Sequence, residues 1–374
     1  MYFKQDKKAD HTDIAIKNST HPDSEKTSKR VLSTSKRWRP KWWQILLTVI
    51  LLLIIIAGII YYSVHSRIFE NKKLVNTWDE LQKGIGQSDQ DPGTASIGAD
   101  GNLTLNDSDF DNIKAENYPI IKVAQKDPNI ENILLLGIDN APGESIHRSD
   151  SIIVASINTA NNTLKLTSIL RDNKVYFPER KAWGKLNAAY AYGGAGQSIN
   201  IINYNFKLDI QKYVTVNFSG FQNIINAAGG VSIKVTAAEA TQIDGLKGAG
   251  TYTLNGAQAL EYSRIREIDT DFLRTQRQRN TIMALYNNSF KNSNVFGKTA
   301  IGNECINYIK TNIPTTDLIS NYLKFASSIS GNIDQLEVPK QDNGLYTTET
   351  SPVWYFDLNW DGELAVLNDF IYGK

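Results

Sequence analysis

Cysteine and histidine are almost missing from this chain of 374 residues. Cys305 is the single cysteine, so neither an intrachain disulfide nor a thiolate metal cluster is open to it. Of the four histidines only His147 lies beyond residue 65. That excludes a metal site built from several imidazoles and leaves a Ser/His/Asp arrangement only one ring to use. Arginine is scarce too. Beyond residue 67 it is confined to Arg148, Arg171, Arg180 and five positions within YSRIREIDTDFLRTQRQR, Tyr262 to Arg279. Lysine is scattered along the chain, so what is concentrated is the planar guanidinium fork, which fits phosphate oxygens two at a time. A solvated, charge-rich helix is the plainer reading of the same composition.

A large charge excess is absent as well, the formal net charge being +1. Residues 1–41 hold eleven Lys/Arg against five Asp/Glu, so the remainder carries +1 minus +6, or −5. An extended nucleic-acid surface is therefore excluded outside that tail. The tail is polar and without apolar periodicity, and reads as a disordered basic segment.

Only one long apolar run exists, WWQILLTVILLLIIIAGIIYY, Trp42 to Tyr62, which matches a single crossing of a hydrocarbon core. Trp42, Trp43, Tyr61 and Tyr62 stand at its ends, where the headgroup zones favour aromatic rings. Lys29, Arg30, Lys36, Arg37, Arg39 and Lys41 precede it, against Arg67, Lys72 and Lys73 after it, so residues 1–41 are expected in the cytoplasm and the rest outside. The run is too long for a cleaved signal peptide and ends in IIYYS, so residues 42–62 read as an uncleaved signal anchor. Residues 63–128 read as a stalk and spacer: Leu74, Trp78 and Leu81 have helical spacing, and Gly84 to Tyr118 is rich in Gly, Asp, Asn and Ser. Asp107, Asp109 and Asp111 alternate as in a calcium loop, but the later loop positions do not fit, and a solvated acidic turn is the reading.

From residue 129 to 374 the texture is that of a folded domain. ENILLLGID, SIIVASIN and LKLTSIL predict three strands, the last two joined by a tight turn at ANNT. KLNAAYAYGGAGQSINIINYNF predicts a helix broken by Gly193 and Gly194. YVTVNF predicts a strand, and SGFQNIINAAGG a helix capped by Ser219 and stopped by Gly229 and Gly230. Strands alternating with helices predict an α/β fold, a layered α-β-α domain with a central mixed β-sheet, preceded by one transmembrane helix.

Asp139 ends the first strand and Asp150 opens the second, which puts both carboxylates on one rim of the sheet, where open α/β sheets bind ligands. Each alone is equally well read as a turn cap. Arg171 and Asp172 follow the third strand in the same way, with a local ion pair as the plain reading. A helix beginning near Asp271 places Arg274, Arg277 and Gln278 on one face and turns Arg279 away. Arg264 and Arg266 share a side if the segment is extended. Arg180 stands apart, in a lysine-flanked loop. Two arginine-bearing segments, Arg148 to Arg171 and Arg264 to Arg279, are thus expected to converge on one phosphate-rich ligand. DLNWDG, Asp357 to Gly362, copies half of an EF-hand loop, yet Asn368 stands where the bidentate Glu belongs, and a turn before a C-terminal helix is the reading.

These motifs together resemble the LytR-CpsA-Psr (LCP) proteins of Gram-positive envelopes. The resemblance runs through LLLGID at Leu134, RSDS at Arg148, SILRD at Ser168, KLNAAYAYGG at Lys185, GF..IINAAGGV at Gly220, LNGAQALEYSRIR at Leu254 and DFLRTQRQ at Asp271, and covers roughly residues 130 to 374. It implies a membrane-anchored phosphotransferase that moves an anionic glycopolymer, such as a teichoic acid or capsule, from an undecaprenyl-pyrophosphate carrier to a peptidoglycan hydroxyl. It further implies Mg²⁺ (or Mn²⁺) at Asp139 and Asp150, and a pyrophosphate-binding set of Arg148, Arg171, Arg264, Arg266, Arg274 and Gln278. Arg277 is grouped with these by its helix face, and Asp271 matches a further acid. The chain departs from the family pattern at Leu170, where proline is usual, at Asn173, where threonine is usual, and in a shorter segment between Arg266 and Asp271. A hydrolase using the same residues, or a non-catalytic envelope-binding or regulatory membrane protein, are the alternatives; the tail is too short and patternless for specific DNA binding.

Overall fold

The computed structural model describes residues 42–70, 74–80, 96–97, 103–104, 118–139, 147–291, 305–318, 333–341, 344–350 and 353–373, with positions 302, 320 and 329. Residues 1–41 and the acidic turn at Asp107 to Asp111 lie outside this set. Two compact units are distinguished, Met1–Ile55 and Ile56–Lys374.

Helix α1, Trp42–Ile68, carries the apolar run. Ile50, Leu53, Ile54, Ile55, Ile56, Ile59 and Ile60 along it are exposed. Among the described residues no helix is long and apolar enough to cross a membrane.

The second unit is a mixed α/β domain built on a six-stranded sheet. Its strands are β1 (Ile130–Asp139), β2 (Arg148–Asn158), β3 (Thr163–Ile169), β4 (Lys212–Asn217), β5 (Ile309–Thr311) and β6 (Asp334–Val338), in the order β5-β4-β1-β2-β3-β6. β1, β2 and β3 form an antiparallel meander, β4 joins β1 and β6 joins β3 in parallel, and β5 closes one edge antiparallel. Asn162 adopts φ 56° in the β2–β3 turn, which suits an Asn in a tight hairpin.

Helices cover both faces. On one, Leu134, Leu136, Ile152 and Val154 pack under α2 (Ala188–Phe206) and α6 (Trp360–Tyr372) through Ile199, Ile202, Phe206, Leu367 and Ile371. On the other, Ile153, Ala155, Leu164 and Leu166 meet Ile282, Met283 and Tyr286 at the end of α5 (Asp271–Leu285) and just beyond it. A smaller core, holding Ile225, Val231, Ile233, Leu254, Ala259 and Tyr262, joins α3 (Phe218–Ala227), the hairpin Val231–Val235 with Gly250–Leu254, and α4 (Gly256–Arg264). Arg264 is the last residue of α4.

Several expectations shift. Leu74–Val75 is not part of a stalk helix but a strand paired in parallel with Ile120–Ile121. Tyr118 and Ile120 are buried, Ile120 in the main core, so the folded domain begins before residue 129. The cap of α3 is Asn217, whose side chain accepts from the Gly220 amide, rather than Ser219. Gly193 and Gly194 do interrupt α2, with non-helical backbone angles. DLNWDG is the approach to α6, with Asn359 as N-cap.

Candidate active site

The site forms where β1 ends, β2 begins and β3 ends, all on one rim. Asp139 faces Arg148 across the β1–β2 pair, and the register slips between Gly137 and Ile138. Ser151 opposes Gly137 and Ser149 opposes Ile138, which leaves Asp150 as the extra residue of a bulge, a device that re-aims a side chain. Asp150 binds arginines from both segments: Arg171 Nη1 donates to Oδ1 at 2.6 Å and Arg266 Nη2 to Oδ2 at 3.1 Å. Arg171 also donates from Nε to Asp172 Oδ2 at 3.1 Å, and Lys185 Nζ donates to Asp172 Oδ1 at 2.6 Å.

Asp271 stands in the first turn of α5, where a carboxylate suits the helix dipole. It pairs with Arg274 one turn on, at 2.9 Å between Nη1 and Oδ1, and lies 3.9 Å from Arg171 Nε. Arg274 is 1% exposed; its Nη2 donates to Asp271 Oδ2 at 3.1 Å, its Nη1 is ion-paired with Oδ1, and its Nε has no hydrogen-bond partner. A buried guanidinium donor left idle is costly unless an acceptor completes it. Burial and the neighbouring Arg171 push its pKa down to about 10, against Asp271, so it stays charged at neutral pH. For Asp150 burial acts upward, but Arg171, Arg266 and Arg274 outweigh it and hold the carboxyl below its usual range.

The turn after β3 is fixed by its neighbours. The Leu170 amide and the Asn173 side-chain amide both donate to the Val338 carbonyl, at 2.8 and 3.0 Å. The first of these bonds needs an N–H, which a proline at position 170 would lack. The Asn187 amide in turn donates to the Arg171 carbonyl at 3.1 Å.

Convergence of the two arginine segments is therefore observed, but through Arg266 and Arg274 rather than Arg264. Arg264 ends α4, stacks over Phe218 at 4.4 Å and lines an open cleft of about 470 Å³ together with Arg266. Arg148 is exposed at the start of β2. Arg277 shares a helix face with Arg274 but not its partners: it binds Glu239 at 2.9 Å, the Ile265 carbonyl at 3.1 Å and the carboxylate of Asp269, and so clamps the segment 265–269. Gln278 holds a buried Oε1 without a partner. Arg279 turns to Gln335 and Glu337, as its phase predicts. Arg180 lies over the Tyr192 ring at 3.7 Å instead of standing free in a loop. Lys185 was not singled out from sequence; its place at the head of KLNAAYAYGG was the only signal.

Asp139 keeps a buried Oδ1 without a hydrogen-bond partner, and its carbonyl lies 3.2 Å from His147 Nδ1. Among the described residues no group of three or more His, Cys, Asp or Glu is placed to hold a metal. The orphaned carboxylate oxygen of Asp139 is a ligand of the kind a hard cation such as Mg²⁺ takes, and Asp150 on the same rim is a second carboxylate, its oxygens now on Arg171 and Arg266. Such an ion usually takes one or two carboxylates and completes its shell with water and substrate phosphates.

The rim thus gathers Asp139, Asp150, Asp172 and Asp271 with Arg171, Arg266, Arg274 and Lys185, and guanidinium forks are the donors that fit phosphate oxygens. The LytR_cpsA_psr family model matches residues 99–361, and the chain belongs to that family. A curated relative, the polyisoprenyl-teichoic acid–peptidoglycan teichoic acid transferase TagV of Bacillus subtilis (strain 168), is 32% identical over 237 residues, covering 60% of this chain and 60% of its own length. Among solved structures, TagT bound to LIIa-WTA superposes with a TM-score of 0.55 at 26% identity, covering 67% of this chain and 94% of that one. The family protein YwtF (TagT) with bound octaprenyl pyrophosphate lipid gives 0.52 at 25% identity, with the same coverage.

Proposed function

We propose that the chain is a membrane-anchored glycopolymer phosphotransferase that takes a teichoic-acid-like polymer from a polyprenyl-pyrophosphate carrier to a peptidoglycan hydroxyl. The observation that carries this reading is the meeting of Arg171, Arg266 and Arg274 around Asp150 and Asp271, with an idle Nε on the buried Arg274. The names of the relatives support it: one is a teichoic acid transferase, another was solved with a prenyl pyrophosphate.

The chemistry asked of these residues is positioning and charge stabilisation. The acceptor oxygen bonds to the phosphorus nearer the glycan, the bond from that phosphorus to the bridging oxygen breaks, and prenyl phosphate leaves with the electron pair. Arg171 and Arg274 hold the diphosphate oxygens, with Arg266 beside them on Asp150. Asp150, paired with Arg171 and Arg266, is held below the usual carboxylate range and so is a weak base, which suits a loose transition state that keeps the hydroxyl proton until late. Asp271, whose side chain is 23% exposed, passes that proton to solvent. Asp139 and Asp150 would hold Mg²⁺, which when bound supplies neutralising charge to phosphoryl oxygens.

The membrane reading rests on the apolar run within the 27-residue helix Trp42–Ile68, on its exposed Ile and Leu side chains and on the basic flank before it. It puts the transferase domain at the outer surface, beside its lipid-linked donor.

The test is product analysis with the purified full chain, a prenyl-pyrophosphate-linked glycan and peptidoglycan fragments, with and without Mg²⁺. Transfer to the fragment is expected, together with loss of activity in EDTA. Arg171→Lys should fail to restore what Arg171→Ala removes, since the ammonium keeps charge but not the fork. Free glycan phosphate as the product even with acceptor present would make it a hydrolase, and full activity in EDTA would remove the metal.

A further inference from the structure

The cleft beside the arginine cluster is not accounted for by the diphosphate. It is about 470 Å³ and open, and Gln222, Gln242, Leu260, Arg264, Arg266 and Glu267 line it. Its walls come from α3, α4, the segment that follows α4 and the turn at Gln242. Two guanidinium groups are balanced there by Glu261 and Glu267, so the cleft does not concentrate a polyanion. Glutamine amides offer donors and acceptors together, and Leu260 with Ala257 adds a small apolar floor. Mixed hydrogen-bonding groups around a short apolar patch, without net charge, match a neutral sugar ring with its hydroxyls and its C–H face.

Arg266 belongs to both places. It lines the cleft and donates to Asp150 Oδ2 at 3.1 Å, so a hydroxyl bound in the cleft is one guanidinium away from the phosphorus held by Arg171 and Arg274. Arg264, laid over the Phe218 ring, walls the cleft on the α4 side.

We propose that this cleft is the acceptor subsite, which takes a neutral amino-sugar unit of a peptidoglycan strand and presents its hydroxyl to the phosphorus. The proposal rests on the transferase reading and names where its second substrate binds. The step is the one already balanced: the sugar oxygen bonds to the glycan-side phosphorus, the bridging P–O bond breaks toward prenyl phosphate, and the hydroxyl proton goes to solvent through Asp271.

The test uses the full chain in detergent, a prenyl-pyrophosphate-linked glycan as donor and a soluble, uncrosslinked peptidoglycan oligosaccharide as acceptor. Gln242→Ala removes an amide from the wall. Ala257→Trp fills the cleft from an exposed helix position without deleting any polar group. Both should raise the acceptor KM by about tenfold or more, with donor affinity held within about twofold, which also shows that the variants fold. An unchanged acceptor KM in both overturns the proposal. Weakened donor affinity with the acceptor KM intact also overturns it, and gives the cleft to the donor glycan. A wild-type chain that binds and cleaves the donor but transfers nothing at any acceptor concentration overturns the transferase reading itself, a failure the variants are not needed to see.

Discussion

Asp150 has each of its two carboxylate oxygens on a different arginine, one from each half of the site. Its pKa is held down in the folded state, so its stabilising contribution is complete above the unfolded value, roughly 4, and is lost as pH falls through the folded value. Thermal melts from roughly pH 6 to pH 3 should therefore show a steeper loss of stability in wild type than in Asp150→Asn; parallel curves would mean the two ion pairs contribute nothing. At this scale the sequence showed which chemistry was present but not which atoms meet. Arg264 and Arg266 lie two apart, one closing a helix and the other in the segment beyond, and both line one cleft, but of the two it is Arg266 that reaches Asp150. Arg274 and Arg277 do share a helix face. Their partners come from Asp271 in one case and from Glu239 and Asp269 in the other, and helical phase alone carries no word of those.

Elements were easier to read, because period and turn chemistry are local. The three-strand meander, the break in α2 and the helix from Asp271 all follow from residues within a few positions of one another. What escaped were the pieces whose place depends on distant partners: the Asp150 bulge, and residues 118–121, which read as the end of a spacer but return to the core. The glycines of α2 are where that return is accommodated. A Cβ at Gly196 would stand 2.3 Å from the Tyr118 carbonyl oxygen, and one at Gly193 would stand 2.3 Å from the Tyr118 ring. Gly196→Ala should accordingly destabilise the domain by about 1–3 kcal/mol, the usual cost of overpacking, despite the better helix propensity of alanine. Urea unfolding followed by tryptophan fluorescence measures it. A midpoint equal to or above wild type would show that Tyr118 is not seated against this helix.

For the molecule as a whole, the decisive feature is how α1 ends. Its last turn packs on the domain: Ile68 is buried, Phe69 bridges to Thr311, and Lys310 Nζ donates to the Arg67 carbonyl at 2.7 Å, a cation placed where a helix C-terminus favours one. His65 Nδ1 lies 3.1 Å from Thr315 Oγ1, and the Tyr213 hydroxyl donates to Glu70. These contacts join the last turn of α1 to the domain. The side of the membrane is testable with a single thiol, because Cys305 is the only native one. In a Cys305→Ser background, Thr251→Cys puts a thiol at an exposed position of the domain and Ser33→Cys puts one in the basic tail. The basic flank before Trp42 predicts that a membrane-impermeant maleimide will label Thr251→Cys in intact cells and reach Ser33→Cys only after lysis. The reverse pattern would place the arginine cluster in the cytoplasm, away from peptidoglycan. Labelling of neither variant before lysis, or of both, would leave α1 without its role as a one-way anchor.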